Sequence, residues 1–326
     1  MNRFERPIEI AAFLEQQGWG EAVAEALDGD FSPRRYARLI RADAARAILM
    51  DADPSQKTAA FVGLAGLLRG IGIEAPEIYA AAPEQGLVLM QDLGSRNVGA
   101  LIDGGTAMKP FLLRGAQILA RIHGTFDRVR ASALDIPLYN ADLFVAQADL
   151  FLDAYLPFAG QEITEEQRQD FRAAWRAVLR PIDIQPKSLL LRDFMPDNMM
   201  DLPDGKLGVL DFQDAGIGPV AYDLASLCEE VRRDGAFAFL PEVVAHYHAA
   251  AQSPVPQADL LRAATILSAL RHTRILGIVA QLALKTGRRE KLAYIPCIQQ
   301  HLRHVLTAPY LQPVQEWMQQ VESMKI

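Results

Sequence analysis

Cysteine is scarce in this sequence, with only Cys228 and Cys297 among 326 residues. Both lie in apolar, helix-like stretches, so we interpret them as reduced core thiols and expect no disulfide framework. Long apolar runs are also lacking. None reaches the ~20 residues of a transmembrane helix, and the first residues lack the apolar core of a signal peptide. These absences favour a soluble, cytoplasmic protein with no membrane partner.

An excess of positive charge is absent as well. The chain carries 33 Lys and Arg residues against 40 Asp and Glu, a formal net charge of −7. This balance argues against nucleic acid as a partner. The sequence contains no Gly-x-Ser-x-Gly elbow, no Walker A loop and no His-Glu-x-x-His motif. The α/β-hydrolase, P-loop and zinc-site interpretations therefore lose support.

The chain does have enough apolar residues for a large core, since half of it is hydrophobic. Its length suits two lobes. We predict an α+β protein with an N-lobe at residues 1–94 and a mostly helical C-lobe at residues 95–326. The N-lobe should contain a small antiparallel sheet and one long helix. Its strand candidates are the short apolar segments 35–41, 46–50, 76–81 and 86–90.

The most informative stretch lies between residues 191 and 214. An apolar strand leads into a polar loop with Asp193 and Asn198, a short hairpin follows, and a second apolar strand ends at Asp211. Phosphoryl transfer requires a carboxylate that orients the attacking hydroxyl and oxygen ligands that hold Mg²⁺. Asp193 can supply the carboxylate, and Asn198 and Asp211 can supply two hard oxygen ligands.

The spacing of these residues matches a kinase pattern. Asp-x-x-x-x-Asn at 193–198 has the spacing of the kinase catalytic loop, and Asp-Phe-Gln at 211–213 lies where kinases have Asp-Phe-Gly. Each fragment alone is weakly specific. Together, in this order and downstream of a small β lobe, they indicate a phosphotransferase. The alternative is that the three polar residues only cap turns or helices.

On these and further segments, the chain resembles the aminoglycoside phosphotransferase and choline kinase-like family, which has a two-lobed protein-kinase-like fold. Within that group it is most similar to the bacterial anomeric sugar kinases that phosphorylate N-acetylmuramate and N-acetylglucosamine in cell-wall recycling. The matching segments span nearly the whole chain and are residues 29–38, 49–52, 90–94, 119–123, 191–199, 211–215, 222–227 and 271–278.

The resemblance implies ATP and Mg²⁺ as cofactors and assigns roles by position. Asp193 would be the catalytic residue, and Asn198 and Asp211 would hold Mg²⁺. Asp223 and Arg192 would support the catalytic loop. The ATP-binding positions would be the phosphate loop, one strand position and the main chain of the hinge, namely Gly29, Asp30, Ser32, Met50, Met90, Gln91 and Asp92.

Three positions depart from the kinase pattern. Met50 lies where the phosphate-binding strand lysine is expected, Leu191 replaces the His before Arg-Asp, and Gln213 replaces the Gly of Asp-Phe-Gly. The missing lysine indicates a different phosphate clamp.

Arginines near the phosphate loop are candidates for that clamp, because a guanidinium binds phosphate in bidentate fashion. Arg34 and Arg35 are either ATP-binding residues or solvated surface residues, and the two interpretations are balanced. For Arg38 we favour the solvated interpretation.

Four other residues are candidates for contacts with the acceptor: Asp197, Asp214, Arg271 and Arg274. A carboxylate-bearing sugar such as N-acetylmuramate would suit the two arginines. The alternative makes the arginines snorkelling residues at a helix edge and the aspartates caps of turns.

The prediction from sequence is therefore an ATP-dependent phosphotransferase with an alcohol group as acceptor. The acceptor we predict is the anomeric hydroxyl of an amino sugar, so the partner is a small molecule. Two alternatives stay open. One is a kinase for an aminoglycoside or another small alcohol, and the other is a non-catalytic, nucleotide-binding pseudokinase.

Overall fold

The structure is a computed structural model that describes residues 7–27, 34–126, 134, 136–183, 185–228, 233 and 235–321. The chain separates into two compact units. The first comprises Met1–Thr106, Asp127–Ile136 and Pro196–Asp214, and the second comprises Ala107–Phe126, Pro137–Met195 and Ala215–Ile326. The lobe boundary at residues 94 and 95 remains a prediction. Among the helices of the described ranges, none has the length and apolarity to cross a membrane.

The strands of the described residues are short. In chain order they are β1 (Val23–Leu27), β2 (Arg35–Ile40), β3 (Arg46–Asp51), β4 (Ile78–Ala82), β5 (Leu87–Gln91), β6 (Lys187–Leu190), β7 (Met199–Asp201), β8 (Leu207–Val209) and β9 (Gly216–Pro219).

Helices make up most of the later part of the chain. In chain order they are α1 (Pro7–Gln16), α2 (Thr58–Gly70), α3 (Val98–Asp103), α4 (Met108–Thr125), α5 (Ala141–Leu150), α6 (Glu165–Asp183), α7 (Ala221–Cys228), α8 (Leu240–Ala251), α9 (Gln257–Thr286), α10 (Ile295–Leu306) and α11 (Gln312–Gln320). A π-helical segment, Phe151–Tyr155, continues α5.

The first unit contains a five-stranded antiparallel sheet in the order β1-β2-β3-β5-β4. Successive side chains of a strand point to opposite faces, so the register sorts the residues into two layers. Leu39, Leu49 and Leu89 belong to one buried cluster together with residues of α1. Tyr36 and Met50 lie directly opposite each other in the β2–β3 register and occupy the other face.

Phe61, Leu64 and Leu68 recur at helical spacing in the sequence, and helix α2 buries all three. It begins at Thr58, although Asp53-Pro54-Ser55 has the residue types that are typical of a helix start. The difference has a local cause: the Asp53 carboxylate accepts the Ser55 backbone N–H at 2.9 Å. Lys57 then adopts a left-handed conformation immediately before the helix. The polar side chain therefore caps a turn instead of the helix.

The hairpin predicted after the polar loop is formed by β7 and β8, with Met199 opposite Val209. Gly205 has a φ of 79° in its turn, a conformation in which glycine avoids the steric cost of a Cβ. The backbone N–H of Leu202 bonds the carbonyl of Lys206 at 2.9 Å and closes the turn. This short hairpin fixes the ends of both strands.

In the second unit, β6 and β9 form an antiparallel pair that lies among helices. Helix α7 is buried along its whole length, and α9 runs for 30 residues. Gly277 of α9 faces the backbone of Leu150, and a Cβ at this glycine would lie 2.5 Å from the Leu150 carbonyl oxygen. Glycine is thus required where α9 packs against the end of α5.

Proline usually interrupts a helix, but α6 continues through Pro181 to Asp183. Pro181 lies in the last turn of the helix. The backbone hydrogen bond that Pro181 cannot donate is therefore near the end of the helix, so its absence affects few residues.

Candidate active site

The hairpin of the first unit brings Asn198 and Asp211 together. Asn198 ends a short 3₁₀ turn immediately before β7, and Asp211 lies two positions after the end of β8. The backbone N–H of Leu210 bonds the carbonyl of Asn198 at 2.9 Å and extends the pairing beyond the two strands. The Asn198 amide nitrogen consequently lies 3.4 Å from a carboxylate oxygen of Asp211. Thirteen positions of sequence separate these two side chains.

Neighbouring side chains fix the position of Asp211. Its backbone has a φ of 58°, a left-handed conformation that is costly for a residue other than glycine. Next to it, Phe212 is fully buried and stacks on Phe61 of α2, with ring centroids 5.0 Å apart and planes within 3°. Gln213 donates its side-chain amide to the other Asp211 oxygen at 2.6 Å. Gln213, at the position where kinases have glycine, thus holds the Asp211 carboxylate in place.

The chemistry of this pair fits Mg²⁺. The pair offers a carboxylate and an amide, and the amide oxygen of Asn198 faces the same space when the group rotates by half a turn. Mg²⁺ takes hard oxygen ligands and keeps several waters, so two protein ligands and nucleotide phosphates are sufficient for it. Among the described ranges there is no group of three or more His, Cys, Asp or Glu side chains arranged to hold a metal.

Residues 191–195, which follow β6, belong to the second unit and are anchored by Asp223. This residue lies in the first turn of α7 and is fully buried. Its two carboxylate oxygens accept the backbone N–H groups of Leu191 at 2.6 Å and of Arg192 at 2.8 Å. Ser226 donates to the Arg192 carbonyl at 3.0 Å. These bonds hold Arg192 at a φ of 73° and set the direction in which the chain reaches Asp193.

Burial raises the pKa of Asp223 to about 7, and the two backbone N–H groups and the Arg271 guanidinium oppose this increase. The carboxyl therefore titrates close to neutral pH although it accepts two hydrogen bonds. Both of its protonation states are populated near neutrality.

Arg271 of α9 also contacts residues 192 and 193. Its guanidinium is 3% exposed and donates to the Arg192 carbonyl at 2.9 Å and to the Tyr222 hydroxyl at 3.1 Å. The same guanidinium nitrogen lies 3.8 Å from an Asp193 oxygen. Arg271 is thus buried, unlike the snorkelling arginine of the alternative interpretation. The Asp193 side chain keeps 36% of its surface exposed, so its carboxylate remains accessible.

Arg274 lies one turn after Arg271 and is half-buried. Burial lowers the pKa of its guanidinium. Tyr222 and Asp193 oppose this decrease, and the charges of Arg192 and Arg271 add to it.

The residues predicted to clamp ATP phosphates are distributed along β2 and β3. Arg34 is 8% exposed and donates to the Gln56 carbonyl at 2.8 Å, so it is not a solvated surface residue. Arg35 begins β2 and is half-buried. Met50 is completely buried. Tyr36 lies on the same face of the sheet as Met50. Burial raises the pKa of Tyr36, and the charge of Asp211 raises this pKa further.

The segment predicted as the hinge follows β5. Arg38 donates to both oxygens of Asp92, at 2.7 and 3.1 Å, and to the Gly94 carbonyl at 2.9 Å. The solvated interpretation favoured for Arg38 is therefore wrong: this arginine fixes the chain where it leaves β5. Met90 is buried within the sheet, and the Gln91 backbone N–H donates to the Glu77 carbonyl at 2.8 Å.

The remaining sequence candidates have different positions. Gly29, Asp30 and Ser32 lie outside the described residues. Asp214 is exposed after the Asp-Phe-Gln segment. The carbonyl of Asp197 accepts a hydrogen bond from the side-chain amide of Asn97 at 2.6 Å.

Sequence reasoning missed Asn97, which also accepts the Ala100 backbone N–H at 3.0 Å and caps α3. Its place directly before an apolar helical segment was the available signal. Asn97 therefore ties the start of α3 to the turn that contains Asn198.

A scan of the chain against known families agrees with this geometry. Residues 23–263 match the Phosphotransferase enzyme family. The chain belongs to this family. It is therefore an enzyme that transfers phosphate to an alcohol-type acceptor, and this family membership favours the enzyme over the non-catalytic alternative.

The curated proteins that this phosphotransferase resembles share one name. The N-acetylmuramate/N-acetylglucosamine kinase of Pseudomonas aeruginosa is 32% identical over 297 residues, which cover 86% of this chain and 83% of that protein. The protein of the same name from Caulobacter vibrioides is 29% identical and covers 96% of both chains.

The fold of the phosphotransferase is shared with solved structures. An aminoglycoside phosphotransferase in complex with GDP and kanamycin superposes with a TM-score of 0.64 at 15% identity. The match covers 92% of this chain and 99% of that one. The predicted α+β, protein-kinase-like fold is confirmed.

Proposed function

We propose that this phosphotransferase is an ATP- and Mg²⁺-dependent kinase that phosphorylates the anomeric hydroxyl of an amino sugar, N-acetylmuramate or N-acetylglucosamine. The observation that carries the proposal is the 32% identity, over 86% of the chain, with a kinase named for these two sugars. The geometry of the catalytic loop is consistent with it, since one accessible carboxylate is held on a rigid turn.

In this proposal Asp193 accepts a hydrogen bond from the sugar hydroxyl and takes up its proton as the phosphate is transferred. The role depends on orientation more than on basicity, because phosphoryl transfer is accelerated mainly by alignment of the reactants. Asp223, Ser226 and Arg271 provide the alignment by fixing both the backbone and the carboxylate of the loop.

Asn198 and Asp211 hold Mg²⁺ in this proposal. The ion, when bound, neutralises charge on the β- and γ-phosphates. The contribution of the chain is the rigid placement of its two ligands, which Gln213 and the stacked Phe212 support. Asparagine and aspartate are appropriate because both present oxygen to a hard cation.

The donor site in this proposal combines four segments. Backbone amides at Gly29, Asp30 and Ser32 would contact the ATP phosphates, and the main chain at residues 90–92 would contact the adenine. Arg34 and Arg35 are the proposed substitutes for the missing lysine, because Met50 carries no charge. Arg38 would act indirectly by keeping Asp92 in place.

A panel of acceptors tests the proposal. The full chain is incubated with ATP, MgCl₂ and, in separate reactions, N-acetylmuramate, N-acetylglucosamine, kanamycin or choline, and ADP release is followed. Phosphorus NMR of the product distinguishes a phosphate on the anomeric carbon from one on another hydroxyl. We expect turnover of the two amino sugars with phosphate at C1. Turnover of kanamycin or choline alone would contradict the sugar assignment.

A further inference from the structure

Gln213 gives the two carboxylate oxygens of Asp211 different surroundings. The Gln213 side-chain amide donates to one oxygen at 2.6 Å, and the other oxygen lies 3.4 Å from the Asn198 amide nitrogen. One oxygen thus faces Asn198, the proposed partner of Asp211 in binding Mg²⁺. The other oxygen is engaged by a side chain that the glycine of the kinase pattern lacks.

The orientation of the Gln213 amide follows from the charge of Asp211. The amide nitrogen must face the carboxylate, because an amide oxygen at the same distance would be repelled. The amide oxygen of Gln213 is buried and has no hydrogen-bond partner among the residues that the structure describes. A buried, unpaired oxygen is a cost that glycine at this position would not incur. The contact with Asp211 is therefore the interaction that orients this side chain.

The Asp211 carboxylate has little freedom to change this arrangement. Its backbone is in the left-handed region with a φ of 58°. The next residue, Phe212, is fully buried and stacks on Phe61 with ring centroids 5.0 Å apart. The backbone is therefore held by packing and the side chain by Gln213. A rotation that turned both oxygens toward cations would break the bond to Gln213.

Protein kinases hold two Mg²⁺ ions with the Asp of Asp-Phe-Gly and the Asn of the catalytic loop. In this chain an N–H group, the positive end of the Gln213 amide dipole, already faces one of the two Asp211 oxygens. A second cation at that oxygen would have to displace the N–H group. In the described ranges no group of three or more His, Cys, Asp or Glu side chains is arranged to replace that oxygen as a metal site.

We infer that the nucleotide site of this phosphotransferase takes a single divalent cation, because Gln213 reserves one oxygen of Asp211. The inference rests on the proposed function and specifies its metal requirement. Gln213 is a positioning residue in this inference: it bonds the ligand and does not contact the cation.

The alternative role for Gln213 is that of a metal ligand. The amide would then rotate by half a turn when the cation binds and present its oxygen. The two roles predict opposite effects of removing the side chain. Loss of a positioning residue gives access to a further cation, whereas loss of a ligand weakens binding of the first cation.

The test counts the divalent cations bound with the nucleotide. Mn²⁺ serves as the probe, because it accepts the same carboxylate, carbonyl and water ligands as Mg²⁺. The full-length protein is saturated with adenylyl imidodiphosphate, a non-hydrolysable ATP analogue, and titrated with Mn²⁺. The electron paramagnetic resonance signal of free Mn²⁺ gives the amount bound, and a titration of the analogue alone provides the correction for Mn²⁺ that it binds in solution.

Four proteins are compared. They are wild type, Gln213→Gly, Gln213→Leu and the control Gln85→Gly. The first variant introduces the glycine of the kinase pattern, and the second removes the amide without adding backbone freedom. Gln85 is an exposed glutamine of the same unit, in the 3₁₀ turn between β4 and β5, so its replacement controls for the change of glutamine to glycine.

We expect about one Mn²⁺ per bound analogue in wild type and in Gln85→Gly, and about two in both Gln213 variants. The wild-type count requires no variant, so it decides the matter even if the Gln213 variants do not fold. Two Mn²⁺ in wild type would overturn the inference and leave the sugar kinase assignment intact.

The variants provide two further ways to refute the inference. An unchanged count of one in both Gln213 variants would show that this residue does not limit the number of cations. Weaker binding of the first Mn²⁺ in Gln213→Gly, with no second ion, would make Gln213 a ligand and also overturn the inference. Failure of wild type to phosphorylate either amino sugar would instead contradict the proposed function.

Discussion

Replacing Asp223 by asparagine would keep the shape of the side chain and remove its titratable proton. The carboxyl is completely buried, and burial raises its pKa from 3.8 to about 7. Between pH 3.8 and about 7 a larger fraction of the Asp223 carboxyl is protonated in the folded chain than in the unfolded chain. The contribution of Asp223 to stability is therefore fully present below about pH 4 and is lost as the pH rises through about 7.

The size of this contribution follows from the two pKa values. Each pKa unit corresponds to about 1.4 kcal/mol, so a change from 3.8 to about 7 corresponds to ~4 kcal/mol. We expect the free energy of unfolding of wild type, measured relative to that of Asp223→Asn, to decrease by roughly this amount between pH 4 and pH 7.5.

Urea unfolding at a series of pH values provides the assay. Trp175 and Trp317 are buried in the second unit and Trp19 is buried in the first, so fluorescence in a Trp19→Phe background reports on the unit that contains Asp223. Asp170→Asn, a change at an exposed carboxylate on α6, controls for the loss of one acid. Parallel pH profiles for wild type and Asp223→Asn would refute the account of a buried carboxyl that takes up a proton on folding.

Three further predictions concern the metal pair, the hinge and the helix packing. Asp211→Asn should reduce kcat by about 10³-fold and raise the Mg²⁺ concentration needed for half-maximal rate, as a Mg²⁺ titration would measure; an unchanged titration curve would exclude Asp211 as a ligand. Arg38→Met should raise the KM for ATP by about 10-fold, because Asp92 loses two charge-assisted hydrogen bonds, and a larger effect on the KM for the acceptor would contradict this. Gly277→Ala should destabilise the chain by about 1–3 kcal/mol in urea, since the new Cβ would meet backbone. Its control, Gly66→Ala on α2, has no atom within 4 Å of the new Cβ and should stabilise by up to about 1 kcal/mol; equal effects at the two sites would contradict the packing argument.

The strands of the five-stranded sheet show which parts of the structure can be predicted from neighbouring residues alone. β2 to β5 lie within two residues of their predicted positions, because apolar segments bounded by turn residues specify them without help from the rest of the chain. β1 is not predicted. Its sequence, Val-Ala-Glu-Ala-Leu, is mostly exposed and has no apolar alternation, so only its pairing with β2 makes it a strand.

β9 is also not predicted, for a different reason. Gly216 and Gly218 have low strand propensity, and their pairing with β6 depends on Tyr139. A Cβ at either glycine would lie less than 3 Å from atoms of this tyrosine. The glycines are thus required by a contact with a residue more than 75 positions earlier, which no local pattern reports.

The candidate site divides in the same way. The proximity of Asn198 and Asp211 could be predicted because a short hairpin separates them, and the geometry of a hairpin is local. The contact of Arg271 with the Arg192 carbonyl spans 79 residues and depends on how α9 packs. Composition and spacing could mark Arg271 as unusual but could not place it in contact with Arg192 and Asp193.

In the proposed mechanism the accessible Asp193 carboxylate, positioned by Asp223 and Arg271, orients the hydroxyl that receives the phosphate. Single-turnover kinetics of Asp193→Asn with N-acetylmuramate, combined with calorimetric titration of a non-hydrolysable ATP analogue, test it most directly. We expect the rate of phosphate transfer to fall by at least about 10²-fold, with affinity for the analogue within about threefold of wild type. A variant that binds the analogue and transfers phosphate at the wild-type rate would contradict the claim.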